Sequence, residues 1–157
     1  MYKKILVPID GSPTSNLGLN EAIKLAKDQG AKLRLFHVVD EYVAVSGTDG
    51  TVPYAGDLLE ALRQSGRKII DKAEAVAKRS GLAAESVMLE SFGGRAADFI
   101  VQQANKWGAD LIVLGTHGRR GVKRLVMGSD AEQVVRTARV PVLLVRAKTT
   151  SGAAAMP

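Results

Sequence analysis

The chain contains no cysteine. Disulfide frameworks, thiolate nucleophiles and cysteine-held metals are therefore excluded, and a reducing compartment is allowed. Aromatic residues make up only 4% of the sequence, with a single tryptophan. This leaves no adenine-stacking platform that can be placed, and Trp107 is assigned to the core. Histidine is equally scarce, with two in the chain. His37 falls in an apolar run and reads as structural, and His117 falls in a glycine turn, where a lone histidine is more often a solvated loop residue than a general base; neither is given a catalytic role. The N-terminal stretch MYKKILVPID has too few apolar residues before Asp10 for a signal-peptide core or a membrane span. The protein is accordingly read as cytoplasmic. Both common phosphate signatures are missing: there is no G-x-x-x-x-G-K-[ST], and the glycine after the first apolar run belongs to no G-x-G-x-x-G.

What is present fits one domain over residues 1–147 of the 157, followed by a Ser, Gly and Ala tail over 148–157 that has no core to join and is expected to be disordered. The 46% apolar share is mainly Ala, Val, Leu and Ile, which suits strands buried under helices. A net charge of +6 and a pI near 9.7 would suit a nucleic-acid partner if the charge were clustered. Lysine and arginine are instead spread along the chain. The only dense group is Arg119, Arg120, Lys123 and Arg124, and a small phosphate ligand explains it more economically than a polymer, so nucleic acid is not the expected partner.

Five short apolar runs alternate with helical patterns. The first, KILVPI at 4–9, stops at the turn signals Asp10-Gly11-Ser12-Pro13. A helix capped by Thr14 or Ser15 then runs to about Gln29, with Gly30 as its stop. The run KLRLFHVV at 32–39 is the second strand. Residues 41–56 form one long irregular connection. Asp57 can cap a helix to about Ser80, weakened slightly by Ser65-Gly66. ESVMLE at 85–90 is the third strand, and 95–107 a helix with Ala96, Ile100 and Trp107 on its apolar face. LIVL at 111–114 is the fourth strand. Ser129 and Glu132 have capping-box spacing for a last helix, and PVLLV, from Pro141 to Val145, is the last strand. Strands separated by helices call for an α/β fold with a parallel sheet covered on both faces, and ligands then bind beyond the carboxyl ends of the strands. Residues 8–12, 38–40, 93–94 and 115 onward can meet there.

The stretch after the fourth strand carries the chemistry. Gly115, Gly118 and Gly128-Ser129 give G-x2-G-x9-G-S. Glycines let backbone N–H groups turn toward an oxyanion, and the helix that follows adds unpaired donors. Arg119, beside Gly118, is the best direct contact, while Arg120, Lys123 and Arg124 read as a solvated rim. Asp10 has two readings, a cap for the turn after the first strand or a ligand contact. Ser129 likewise is either an N-cap or a phosphate donor.

This loop, the P-x-D-G-S turn after the first strand and HVV at the end of the second resemble the universal stress protein family, over essentially the whole chain to Arg146. The resemblance implies a flavodoxin-like, Rossmann-like three-layer α/β sandwich with a five-stranded parallel sheet of order 3-2-1-4-5. It also implies dimerisation through the last strand, at Pro141 to Val145, and ATP binding in members that keep the loop. By position, Pro8, Ile9, Asp10 and Val38 would lie at the ribose and adenine end, with Leu114 and Gly115 lining the same pocket. His117, Gly118, Arg119, Gly128, Ser129 and Asp130 would lie at the phosphates. Asp130 departs from the family, many members having a neutral residue there. A carboxylate in that place would weaken nucleotide binding or recruit a divalent cation such as Mg or Mn.

The expected function is therefore an ATP-binding stress-response protein acting as a nucleotide-dependent homodimeric switch, and no catalytic residue is assigned. Phosphoryl transfer needs a positioned nucleophile and charge stabilisation, so hydrolysis would at most be slow. The alternatives are a slow ATPase or nucleotidyl transferase of the same fold, and a basic interaction module that binds no nucleotide.

Overall fold

The computed structural model describes residues 1–41, 55–116 and 127–147. Nine elements alternate along the described chain: β1 (Lys4–Pro8), α1 (Pro13–Gln29), β2 (Lys32–Asp40), α2 (Ala55–Arg79), β3 (Ala84–Ser91), α3 (Ala96–Trp107), β4 (Leu111–Gly115), α4 (Ser129–Thr137) and β5 (Val142–Val145). The strands form one parallel sheet in the order β3-β2-β1-β4-β5, as expected. Among the described residues no helix is long and apolar enough to cross a membrane.

Alternation along the strands splits the core in two. Ile5, Val7, Leu33, Leu35, Leu111 and Val113 point to one face and pack under Leu19, Ala22 and Ile23 of α1 and Ile70 and Ala73 of α2. Leu6, Phe36, Ile112 and Leu114 point to the other, under Ile100 and Ala104 of α3 and Val134 of α4. Successive strand residues face opposite sides, so continuous apolar runs require helices on both faces. Trp107 packs on the second cluster from a half-buried position rather than inside it, with the Arg34 guanidinium 4.4 Å from its ring centroid. Ala97, and not Ala96, is the buried alanine of the first turn of α3.

Several expected boundaries shift for local reasons. Ser12 caps α1, its hydroxyl accepting from the Ser15 N–H at 3.2 Å, and Pro13 takes the first helical position, where its missing N–H costs nothing. Thr14 and Ser15 are therefore inside the helix. Helix α2 begins at Ala55, which places Asp57 in its first turn, where a carboxylate complements the helix dipole. Ser129 is the first helical residue of α4 and not its cap. Gly128 occupies the cap position without a side chain, and Glu132 pairs with Arg136 at 3.3 Å, so the capping box does not form. Strand β5 starts at Val142; Pro141, having no N–H, contributes only its carbonyl, which accepts from Ile112 at 3.0 Å.

Gly66 also has a different role from the one expected. A Cβ there would stand 2.7 Å from Val39 Cγ2 and 3.1 Å from His37 Cδ2. The glycine lets α2 lie close on β2 and β3, and packing offsets the helix propensity it gives up.

Candidate functional site

The strand order reverses between β1 and β4. Connections leaving these two strands diverge to opposite sides, which opens a crevice at their carboxyl ends. Three segments meet there.

The first is the turn after β1. Ile9 is buried, and its N–H donates to the Phe36 carbonyl at 2.8 Å. Asp10 Oδ1 accepts from the Ser12 N–H at 2.9 Å, and the Asp10 N–H donates to Ser15 Oγ at 3.1 Å. Asp10 therefore makes the expected turn contact, and its side chain is half-exposed. Pro8 precedes it at the end of β1, also half-exposed.

The second is the end of β2. His37 is buried, with Nδ1 2.7 Å from the Ile9 carbonyl oxygen. A carbonyl can only accept, so Nδ1 carries the proton. This ties β2 to the turn and makes His37 a structural histidine. Val38 follows, half-buried on the side of α3 and α4.

The third combines the end of β4 with the start of α4. Leu114 is buried, and Gly115 lies so close to α1 that a Cβ would stand 2.6 Å from the Thr14 carbonyl carbon and 2.9 Å from the Ser15 nitrogen. Gly115 is thus required by the contact of β4 with α1, independently of any ligand. From the α1 side Gly18 makes the complementary approach, its missing Cβ lying 3.2 Å from the Gly115 nitrogen. Thr116, buried, donates its N–H to the Val145 carbonyl at 3.0 Å, and its own carbonyl accepts from the Gly128 N–H at 2.8 Å. That last bond brings the N-terminus of α4 to the end of β4.

Ser129 and Asp130, the first two residues of α4, are both exposed. Because Gly128 is the cap, the Ser129 hydroxyl is not committed to capping, and the opening turn of α4 presents backbone donors at its N-terminus. His117, Gly118 and Arg119, with Arg120, Lys123 and Arg124, lie outside the described residues. Pro8, Ile9 and Asp10 stand at the end of β1, Val38 near the end of β2, Leu114 and Gly115 at the end of β4, and Gly128, Ser129 and Asp130 at the start of α4. Sequence reasoning missed Thr116 and read Ser15 as a helix cap, while their roles here depend on backbone partners that no local pattern marks. Among the described residues no three His, Asp or Glu side chains come together as metal ligands.

The order β3-β2-β1-β4-β5 with helices on both faces defines a flavodoxin-like α/β protein, with its crevice between β1 and β4. The model of the Universal stress protein family matches residues 1–146, and the chain belongs to that family. It is 38% identical over 149 residues to Universal stress protein MJ0531 of Methanocaldococcus jannaschii, covering 93% of this chain and 83% of the relative. Among solved structures it resembles universal stress protein UspA from Lactobacillus plantarum, with a TM-score of 0.79 and 26% identity over 92% of this chain and 98% of the other. It also resembles a universal stress protein from Archaeoglobus fulgidus in complex with dAMP, with a TM-score of 0.65 and 25% identity over 92% and 98% of the two chains.

Proposed function

We propose that the protein binds an adenine nucleotide, ATP in the first instance, in the crevice between β1 and β4, and that the bound nucleotide switches a cytoplasmic homodimer between states in a stress response. The observation that carries this is the Thr116–Gly128 bond, which holds the donor-rich N-terminus of α4 at the end of β4, the strand next to β1. A helix N-terminus suits phosphate oxygens. The Asp10 carboxylate suits the hydroxyls of a ribose, since an ionised carboxylate only accepts. The Archaeoglobus relative, solved with dAMP, supports an adenine nucleotide as the ligand class. Asp130 stands exposed in the first turn of α4, where it would repel bare phosphates and favour a nucleotide that arrives with a divalent cation.

Dimerisation is proposed through β5. It is the last strand of the sheet, its residues Val142–Val145 are half-buried, and Val135 on the neighbouring α4 is 44% exposed. An apolar sheet edge of this kind pairs readily with a second copy.

The test is to denature the purified protein, analyse the released small molecules, and compare melting with and without Mg-ATP. A ligand at a hundredfold excess over Kd stabilises the folded state by about 2.7 kcal/mol. Absence of released nucleotide together with no shift from ATP, ADP or AMP refutes the proposal.

A further inference from the structure

We infer that a second ligand site, for a small anion with an apolar body such as a medium-chain carboxylate, lies between α1 and α2. A cleft of about 640 Å³ opens there, within the size range of small-molecule pockets. Its floor is apolar, formed by Leu19 of α1 and Ile69, Ala73 and Val76 of α2. Its rim is cationic on one side, where Lys68, Lys72 and Arg79 recur along one face of α2, and carries the neutral amides of Asn16 and Asn20 on the other. Among the described residues no carboxylate lines it, although α2 itself carries Asp57, Glu60, Asp71 and Glu74.

The charge arrangement is what selects the ligand. Lys68 and Lys72 are four residues apart on one helix face, a spacing at which like charges repel. Among the described residues none of Lys68, Lys72 and Arg79 makes an ion pair, whereas Arg63 and Arg67 on the same helix do. The acidic side chains of α2 lie elsewhere: Glu74 accepts from Ser86 on β3, and Glu60 pairs with Arg67. An anionic head seated between Lys68 and Lys72 relieves their repulsion. An apolar body laid on Ile69 and Val76, both half-buried, removes their remaining surface from water.

The cleft is separate from the nucleotide crevice. Helix α1 lies over β1 and β4, and α2 over β2 and β3, so the cleft runs along the face of the sheet that these two helices cover, opposite the face on which α4 packs. Among the described residues the two sites meet at the turn after β1, where Ile9 and Gly11 line one end of the cleft. Ile69 closes that end, with Cγ1 3.2 Å from the place of a Gly11 Cβ.

The probe is 1-anilinonaphthalene-8-sulfonate, which carries a sulfonate on an apolar ring system, titrated into the folded full-length protein. Fluorescence should rise at saturable stoichiometry, and decanoate should displace the dye while decyltrimethylammonium should not. Replacing Lys68 and Lys72 together by Gln should weaken the dye about tenfold, the loss of a charge-assisted contact. Ala75→Phe, which fills the cleft from a half-buried position, should abolish binding, and either variant's melting curve shows whether it is folded. Mg-ATP should leave the dye in place. Equal displacement by the cationic detergent, unchanged affinity in both folded variants, or displacement by ATP overturns the inference. Displacement by ATP would mean that the dye reports the nucleotide crevice, and this outcome is independent of whether ATP itself binds.

Discussion

Gly115 and Thr14 approach so closely that one added methyl group could not be placed between them: the nearest atom to a Cβ at 115 would be the Thr14 carbonyl carbon, at 2.6 Å. The neighbour is backbone inside the first turn of α1, so it cannot swing aside as a side chain would. Gly115→Ala should therefore push α1 off β4 and destabilise the fold by about 1–3 kcal/mol. For a domain of this size that is a fall of roughly 2–4 °C in Tm per kcal/mol. Because the same contact positions the crevice, the stabilisation gained from Mg-ATP should shrink as well. Differential scanning calorimetry with and without nucleotide reads both effects, and a variant with unchanged Tm would show that the contact is looser than the structure has it.

Asp10 should separate binding from folding. An Asn side chain keeps the oxygen that accepts from Ser12 N–H, now at 2.9 Å, and loses the negative charge. Asp10→Asn should melt close to the parent without ligand, yet bind ATP about tenfold more weakly, the value of one charge-assisted hydrogen bond. Calorimetric titration measures this directly. Equal affinities would restrict Asp10 to its turn.

Glu41 is fully buried at the end of β2, where Oε1 accepts from Arg63 Nε at 2.8 Å and Oε2 has no hydrogen-bond partner among the described residues. Arg63 also reaches Glu90 Oε2 at 3.1 Å, so one guanidinium on α2 ties together the ends of β2 and β3. The Glu41 hydrogen bond holds the Arg63 pKa above its usual range against the opposing effect of burial. Removing one partner of such a pair leaves a buried charge uncompensated, whereas removing both does not. Arg63→Met should thus lower the urea midpoint clearly, and adding Glu41→Leu should recover most of the loss. A double variant as unstable as the single one would contradict this account.

Acid should weaken one cross-strand link in a predictable window. The hydrogen bond from Arg34 Nε, at 3.0 Å, is the main cause that holds the Glu85 carboxyl below its ordinary 4.5, with burial opposing it. A carboxyl whose folded pKa lies below its unfolded one contributes stability that is complete above about pH 4.5 and disappears as pH falls through the folded value. The Glu85 side chain is half-exposed, so the effect is small and screened by salt. Urea midpoints of the parent and of Glu85→Gln should differ at neutral pH and converge in acid. Divergence in acid would be the wrong sign.

The alternation of strands and helices and both helical layers were legible because each apolar run is short and the intervening patterns have helical spacing, whereas the strand order came from the resemblance to the family and not from the runs themselves. Ser12, Gly30 and Gly108 act as local punctuation, with Gly30 and Gly108 in the left-handed region at φ 64° and 71°. What escaped was long-range closeness. Gly66 read as a weak point because nothing nearby shows that Val39 and His37 lie beneath it, and Gly115 read as ligand-loop glycine although Thr14 accounts for it. The Ser129 and Glu132 spacing fitted a capping box, but where α4 starts is set by the Gly128–Thr116 bond and not by the side chains. Glu41 with Arg63 joins residues from two elements that only the folded chain brings together.

The bond from Gly128 N–H to the Thr116 carbonyl has a consequence for how such proteins can diverge. It acts as a clasp: the chain leaves the end of β4 and returns to within 2.8 Å of it before α4 begins. Both its partners are backbone groups, so side chains at 116 and 128 can change without breaking it, with one exception. Proline at 128 lacks the N–H and would open the clasp, so drift at this junction is free in chemistry but closed to proline.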